Sequence, residues 1–138
     1  MIGDVELTTI LCSEIGALEG RQWGGAGTYP ESVVGVFYGR IESSPDRAVG
    51  VAVYDTADDA RDYVRARRVQ VRSRGARDDP AGADALADEH VPLLVGLSRH
   101  RGLLHVEWLS SARLGADDNG REERTDNFLI TLDNEEAS

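Results

Sequence analysis

Three stretches of this chain alternate, residue by residue, between bulky apolar side chains and small or polar ones. A chain with that pattern has to build a sheet with one buried face. Val49, Val51 and Val53 alternate with Gly50, Ala52 and Tyr54, and Val69, Val71 and Ser73 alternate with Gln70, Arg72 and Arg74. Phe128, Ile130 and Leu132 alternate with Asn127, Leu129 and Thr131. Successive strand side chains point to opposite faces, so each run offers one face to a core. A one-faced sheet needs a cover, and two segments with helical periodicity supply it. Leu7, Ile10, Leu11, Ile15 and Leu18 form one apolar stripe, which predicts a helix over 4–18, weakened slightly by Gly16 and stopped by Gly20. Ala83, Leu86, Ala87, His90, Leu94 and Leu97 form a second stripe over 80–97. Asp79 suits the N-cap of that helix and Pro80 its first position, while Pro92 is expected to kink or divide it.

The remaining segments follow from turn chemistry and strand patterning. Residues 20–30, rich in Gly and closed by Pro30, read as a loop anchored by Trp23 and Tyr29. Residues 33–41 read as a strand, Ser43-Ser44-Pro45-Asp46-Arg47 as a turn and 48–54 as the returning strand, which together predict a hairpin. A short helix is expected over 57–66, a strand over 68–75, and a strand over 103–109 with Leu104, Val106 and Trp108 on one face. A polar connection over 115–122 leads to the last strand, and 133–138 is an acidic tail expected to fray. Strands and helices do not alternate regularly, which excludes a doubly wound parallel sheet. The prediction is one α+β domain over 1–138: two main helices packed on a mostly antiparallel sheet of about five strands. The 138 residues suffice for one domain with its own core.

Charge narrows the function. The net charge is −10, and every one of the 15 bases is Arg. An acidic chain is a poor match for nucleic acid phosphates, although not for a surface that DNA must slide past. The missing Lys fits GC-rich coding and an actinobacterial host; a halophilic source would also be acidic. The N-terminus has neither the basic nor the apolar region of a signal peptide, and no run reaches the ~18 apolar residues of a membrane span. A soluble, intracellular protein is expected. Cys12 is the only cysteine, so an internal disulfide is impossible, and its apolar setting predicts a buried, inert thiol.

Candidate chemistry is sparse. Gly24-Gly25-Ala26-Gly27 lacks the Lys-Ser/Thr ending of a phosphate-binding loop and no helix follows it. His90 lies on an apolar helical stripe and reads as a core or interface residue. His100 sits between Arg99 and Arg101, and His105 on a strand, so no matched metal spacing emerges. The acid pairs Asp58-Asp59, Asp78-Asp79, Asp117-Asp118 and Glu122-Glu123 read as solvated surface, and Asp117-Asp118-Asn119-Gly120 lacks the spaced ligands of a calcium loop. No catalytic, cofactor-binding or metal-ligating residue is assigned, and no cofactor is expected. Arg65, Arg67, Arg68, Arg72, Arg74 and Arg77 form the one basic region, and are expected to pair with acids of the chain or of a neighbouring subunit rather than with nucleic acid.

Four segments, in order, carry a family resemblance. They are Ser44-Pro45-Asp46-Arg47 before an apolar strand; Val69-Gln70-Val71-Arg72-Ser73-Arg74-Gly75; Asp78-Asp79-Pro80 opening a helix that contains Asp84-Ala85-Leu86-Ala87-Asp88; and Gly120-Arg121-Glu122-Glu123-Arg124-Thr125-Asp126-Asn127-Phe128. Over about residues 5–132 the chain resembles the small tail-terminator, or minor capsid, proteins of actinobacterial siphophages. Pro92 departs from the regular helix of that pattern. The resemblance implies a non-enzymatic structural protein of the virion, made in the host cytoplasm. It would form a ring, usually a hexamer, that caps the head-proximal end of the tail tube and joins it to the neck. The implied partners are identical subunits, the tail tube protein and neck or head-completion proteins, with no membrane. Genomic DNA would pass through the lumen without specific binding, repelled by acidic walls. The expected subunit contacts are Pro45, Asp46, Arg47, Arg72, Arg74, Arg121, Arg124 and Asn127, any of which could instead serve contacts within the chain. The rival readings are another head–tail connector or neck completion protein and, from a different class, a small ligand-binding or enzymatic α+β domain.

Overall fold

The computed structural model of the chain describes residues 2–24, 28–59 and 64–133. Two helices, α1 (Asp4–Gly16) and α2 (Gly82–Val95), accompany six strands: β1 (Arg21–Gln22), β2 (Val34–Tyr38), β3 (Ala48–Asp59), β4 (Val64–Arg77), β5 (Leu103–Ala116) and β6 (Arg121–Leu132). They form one sheet in the order β1-β2-β3-β4-β6-β5. Leu7, Leu11 and Ile15 of α1 and Leu86 and Leu94 of α2 share a single core with Val49, Val51, Val69, Val71, Phe128 and Ile130 of the sheet. The faces read from alternation are the buried ones.

Among the described residues the sheet is mixed, with parallel pairs at one edge, and has six strands rather than about five. β1 pairs parallel with β2 and β2 parallel with β3, while β3–β4, β4–β6 and β6–β5 are antiparallel. The expected hairpin between β2 and β3 is therefore a parallel pair. The sequence does contain a reversal, but the chain then runs back before pairing. Residues 39–47 can span about 30 Å when extended, ample to retrace a five-residue strand. Gly39 turns with φ +78 and gives its N–H to Val51 O at 2.7 Å. The return path lies across β3 at Gly50, where a Cβ would come within 2.5 Å of Gly39 O. The small residues of β3 thus make room for this loop.

Other boundaries differ for identifiable reasons. No helix forms over the described part of 57–66: Ala57 pairs with Ala66 and Asp58 with Arg65, extending β3 and β4 as an antiparallel pair. α1 ends at Gly16, where a side chain would collide with Cβ of Trp23. Trp23 packs against the core, and Tyr29 is buried, giving its hydroxyl proton to Val36 O at 3.0 Å. α2 starts at Gly82 with Ala81 as its N-cap, so Asp79 does not cap it; Asp79 instead closes the preceding turn on Ala81 N. Pro92 leaves α2 undivided. Its missing N–H costs only the bond to the carbonyl of exposed Asp88, one turn from the helix end. β5 runs to Ala116 and its faces differ from the simple alternation: Leu103 and Val106 are buried, whereas Leu104 and Trp108 are about half exposed. Asp133 gives its N–H to Gly102 O at 3.0 Å, and the rest of the acidic tail lies outside the described residues.

Candidate functional site

The return loop over 39–47 is held on the open face of the sheet by arginines. Arg74 stands on the polar face of β4, yet it is only 5% exposed because the loop covers it. Its Nε donates to Asp46 O and its Nη2 to Glu42 O and Pro45 O, each at 2.8 Å. Burial and the neighbouring Arg121 hold its guanidinium below the usual arginine range. Arg121 donates to Ser43 O at 2.7 Å, to Asp46 Oδ1 at 3.1 Å and to Asp117 Oδ2 at 2.8 Å. Arg77 reaches the same Asp46 carboxylate. From the other side, Glu31 accepts from Ser44 Oγ at 2.7 Å and Asp46 N at 3.0 Å, and these two bonds, the backbone one foremost, lower its carboxyl pKa. Arg47 donates to Ser32 O at 2.9 Å. Charge-assisted bonds of this kind are stronger than neutral ones, and the planar fork of arginine suits several carbonyls at once. The loop is therefore a built surface feature, and its conformation depends on β4 and β6.

Beside the loop lies a cleft of about 460 Å³, lined in part by Arg40, Ile41, Gln70, Arg72 and Glu123. Arg40 is exposed, and the half-exposed side chain of Arg72 meets Glu123 at 3.6 Å. Asn127, in the next strand, accepts from Gln70 and donates to Ser110 Oγ, both at 3.2 Å.

A second arginine cluster ties α2 to β5 and β6. Arg124 holds Asp84 at 3.0 Å and the buried Asp126 at 2.9 Å, and Trp108 Nε1 donates to that same Asp126 oxygen at 3.1 Å. Arg124, with Arg113, keeps the carboxyl of Asp84 below its usual range. At the far end of the sheet, Arg67 joins Asp4 of α1 to Asp58 of β3, and hydrogen bonds from Arg67 hold the Asp58 carboxyl low. The basic region of β4 is thus paired in large part within the chain, through Arg65, Arg67, Arg68, Arg72 and Arg77.

The histidines fall into two groups. His90 is 1% exposed, between Ser73 Oγ at 3.1 Å from Nδ1 and Arg21 at 3.3 Å from Nε2. Arginine can only donate, so Nε2 accepts and Nδ1 carries the proton toward Ser73. Burial, and then Arg21, push its pKa down to about 3. His100 and His105 are exposed. No group of three or more metal-type side chains occurs among the described residues. Cys12 is buried, and desolvation pushes its thiol up to about 12. Of the Gly-rich stretch, residues 25–27 lie outside the described residues.

Of the residues chosen from sequence, Pro45, Asp46, Arg47, Arg74 and Arg121 meet at the loop. Arg72 and Asn127 lie on the same open face, and Arg124 belongs to the separate α2 cluster. Sequence reading passed over Arg21, whose side chain is 6% exposed and bonds Glu89 at 2.8 Å, and Glu31, which carries no motif. It also ended β5 at residue 109 and set Leu104 on one face with Val106; in the fold Leu104, Leu109 and Leu114, evenly spaced by five, are 54%, 37% and 51% exposed.

No helix among the described residues is long and apolar enough to cross a membrane. Comparison with curated proteins gave no match. A family model described as bacteriophage tail terminator protein matches residues 14–134.

Proposed function

Because the chain belongs to the bacteriophage tail terminator family, with a place in tail assembly and in the virion, we propose that it forms a ring on the head-proximal end of the tail tube. In this reading the ring is a hexamer of identical subunits, stops tube polymerisation, offers its outer surface to neck proteins and has no enzymatic role. The observation that carries the proposal is the family match, which runs from the end of α1 through the whole sheet. Head-to-tail contacts between identical subunits close such a ring when the rotation between them closes.

The loop over 39–47 and its cleft suit one side of that contact. Arg72, Arg47 and Asn127 reach its surface, and Pro45 and Asp46 shape it. Arg74 and Arg121 act from beneath by fixing the loop, and Arg124 by fixing α2 against β6. A neighbouring subunit with an acidic side chain at this position would find Arg40 and Arg72 in the cleft. The net charge of −10 supports a lumen that repels DNA phosphates, and a positive lumen in the assembled ring would sink that part of the proposal. Immunogold labelling of intact virions tests the location. Label confined to the junction of tail and head supports the terminator; label along the tube or at the tail tip rejects it.

A further inference from the structure

The outer edge of the sheet is β5, the last strand in the order. Its register with β6 shifts three times, between Leu103 and His105, Trp108 and Ser110, and Arg113 and Gly115. The residue left out at each shift is a leucine: Leu104, Leu109 and Leu114. Bulges blunt an edge against regular strand addition, so an association here would be made by side chains. With Trp108, 45% exposed, these leucines account for half of the large hydrophobic residues exposed in the described chain. Exposed apolar side chains gathered along one free edge strand offer a surface for association.

The spacing is self-complementary. Turned antiparallel about Leu109, a second copy sets Leu104 against Leu114, Leu114 against Leu104, and Leu109 against itself. The charges obey the same symmetry. The turn before β5 is Arg99-His100-Arg101 and the turn after it is Asp117-Asp118-Asn119, so the two-fold brings basic against acidic at both ends. Arg101 also holds Glu14, and Asp117 holds Arg121. The side chains of Arg99, His100 and Asp118 are exposed, with no partner among the described residues. An isologous interface requires this arrangement, in which one patch is its own complement.

We propose that two copies of this chain pair antiparallel through the outer edge of β5, with Leu109 on the two-fold axis and the 99–101 turn of each copy against the 117–119 turn of the other. This pairing goes beyond the ring reading and does not depend on it, since a simple head-to-tail ring places no two-fold at Leu109.

Cysteine cross-linking of the full-length protein tests the geometry, with buried Cys12 outside the reaction. Under mild oxidation Leu109→Cys should cross-link to itself. Leu104→Cys and Leu114→Cys should do so only when mixed with each other. In sedimentation of the otherwise native chain, Leu109→Arg should weaken the dimer by roughly a hundredfold or more, as expected when both copies place a charge at the centre of an apolar interface. Tyr54→Arg, at an exposed position of β3, should leave it unchanged, and raised salt should weaken it. A monomer, a dimer that survives Leu109→Arg, or Leu104→Cys cross-linking to itself as readily as Leu109→Cys would overturn the proposal.

Discussion

Replacing Arg74 by Met keeps most of the side-chain stem and removes its donors. The carbonyls of Glu42, Pro45 and Asp46, each 2.8 Å from the guanidinium, are then left without that partner. Hydrogen bonds to a charged group contribute about 1.5–3 kcal/mol each. The loop can partly lift into solvent and recover some of this, so a net loss of about 3–4 kcal/mol is expected rather than the full sum. Arg72, on the same strand face two residues earlier, provides the control. Its side chain is 46% exposed and, among the described residues, reaches a carboxylate only at Glu123, 3.6 Å away. An exposed pair of this type contributes about 1 kcal/mol at most. Urea unfolding followed by circular dichroism compares the two. With a slope of roughly 2 kcal/mol per molar urea, Arg74→Met should lower the midpoint by about 1.5–2 M and Arg72→Met by less than about 0.5 M. Equal shifts for the two variants would refute the reasoning, since the loop would then not depend on Arg74.

Two further outcomes follow from buried groups. His90 has a folded pKa of about 3 against an ordinary 6.5, so the unfolded chain takes up its proton first as the pH falls. The stability it contributes is present above pH 6.5 and lost progressively below it, by at most about 1.4 kcal/mol per pH unit. His90→Gln should flatten the stability profile between pH 6.5 and the onset of carboxylate titration; an unchanged slope would contradict the burial of a neutral imidazole. Gly75→Ala should cost about 1–3 kcal/mol through overpacking, because a Cβ there lies 2.7 Å from the Cα of Gly82 at the start of α2. Unaltered thermal stability of that variant would show that β4 and α2 do not approach so closely.

The core was legible because its signal is local. Val49, Val51, Val69, Val71, Phe128 and Ile130 alternate, and His90 lies on the stripe that buries it. The parallel pairing of β2 and β3 was not, because Pro45 and Asp46 give a turn signal whether the chain pairs at once or first runs back. Gly50 and Ala52 were visible as a small-residue face, but nothing local says that a loop rather than solvent covers them. For the same reason Arg74 reads as one residue of a polar strand face, when the loop buries it. β5 was misread where three bulges add residues to the strand and break the period of two, which hid the even spacing of Leu104, Leu109 and Leu114. The ion pairs of β4 were legible only as a class: an arginine-rich strand in an acidic chain must find carboxylates, but Asp4 and Asp58 come together with Arg67 only in the fold.

The claim that the chain terminates a tube is tested most directly by following assembly of its phage's tail tube protein with light scattering while the chain is added at far below the tube subunit concentration. A terminator should halt elongation at that low ratio and leave shortened tubes, each with a ring at one end in electron micrographs. Undiminished elongation, with tubes that carry no ring, would contradict the account.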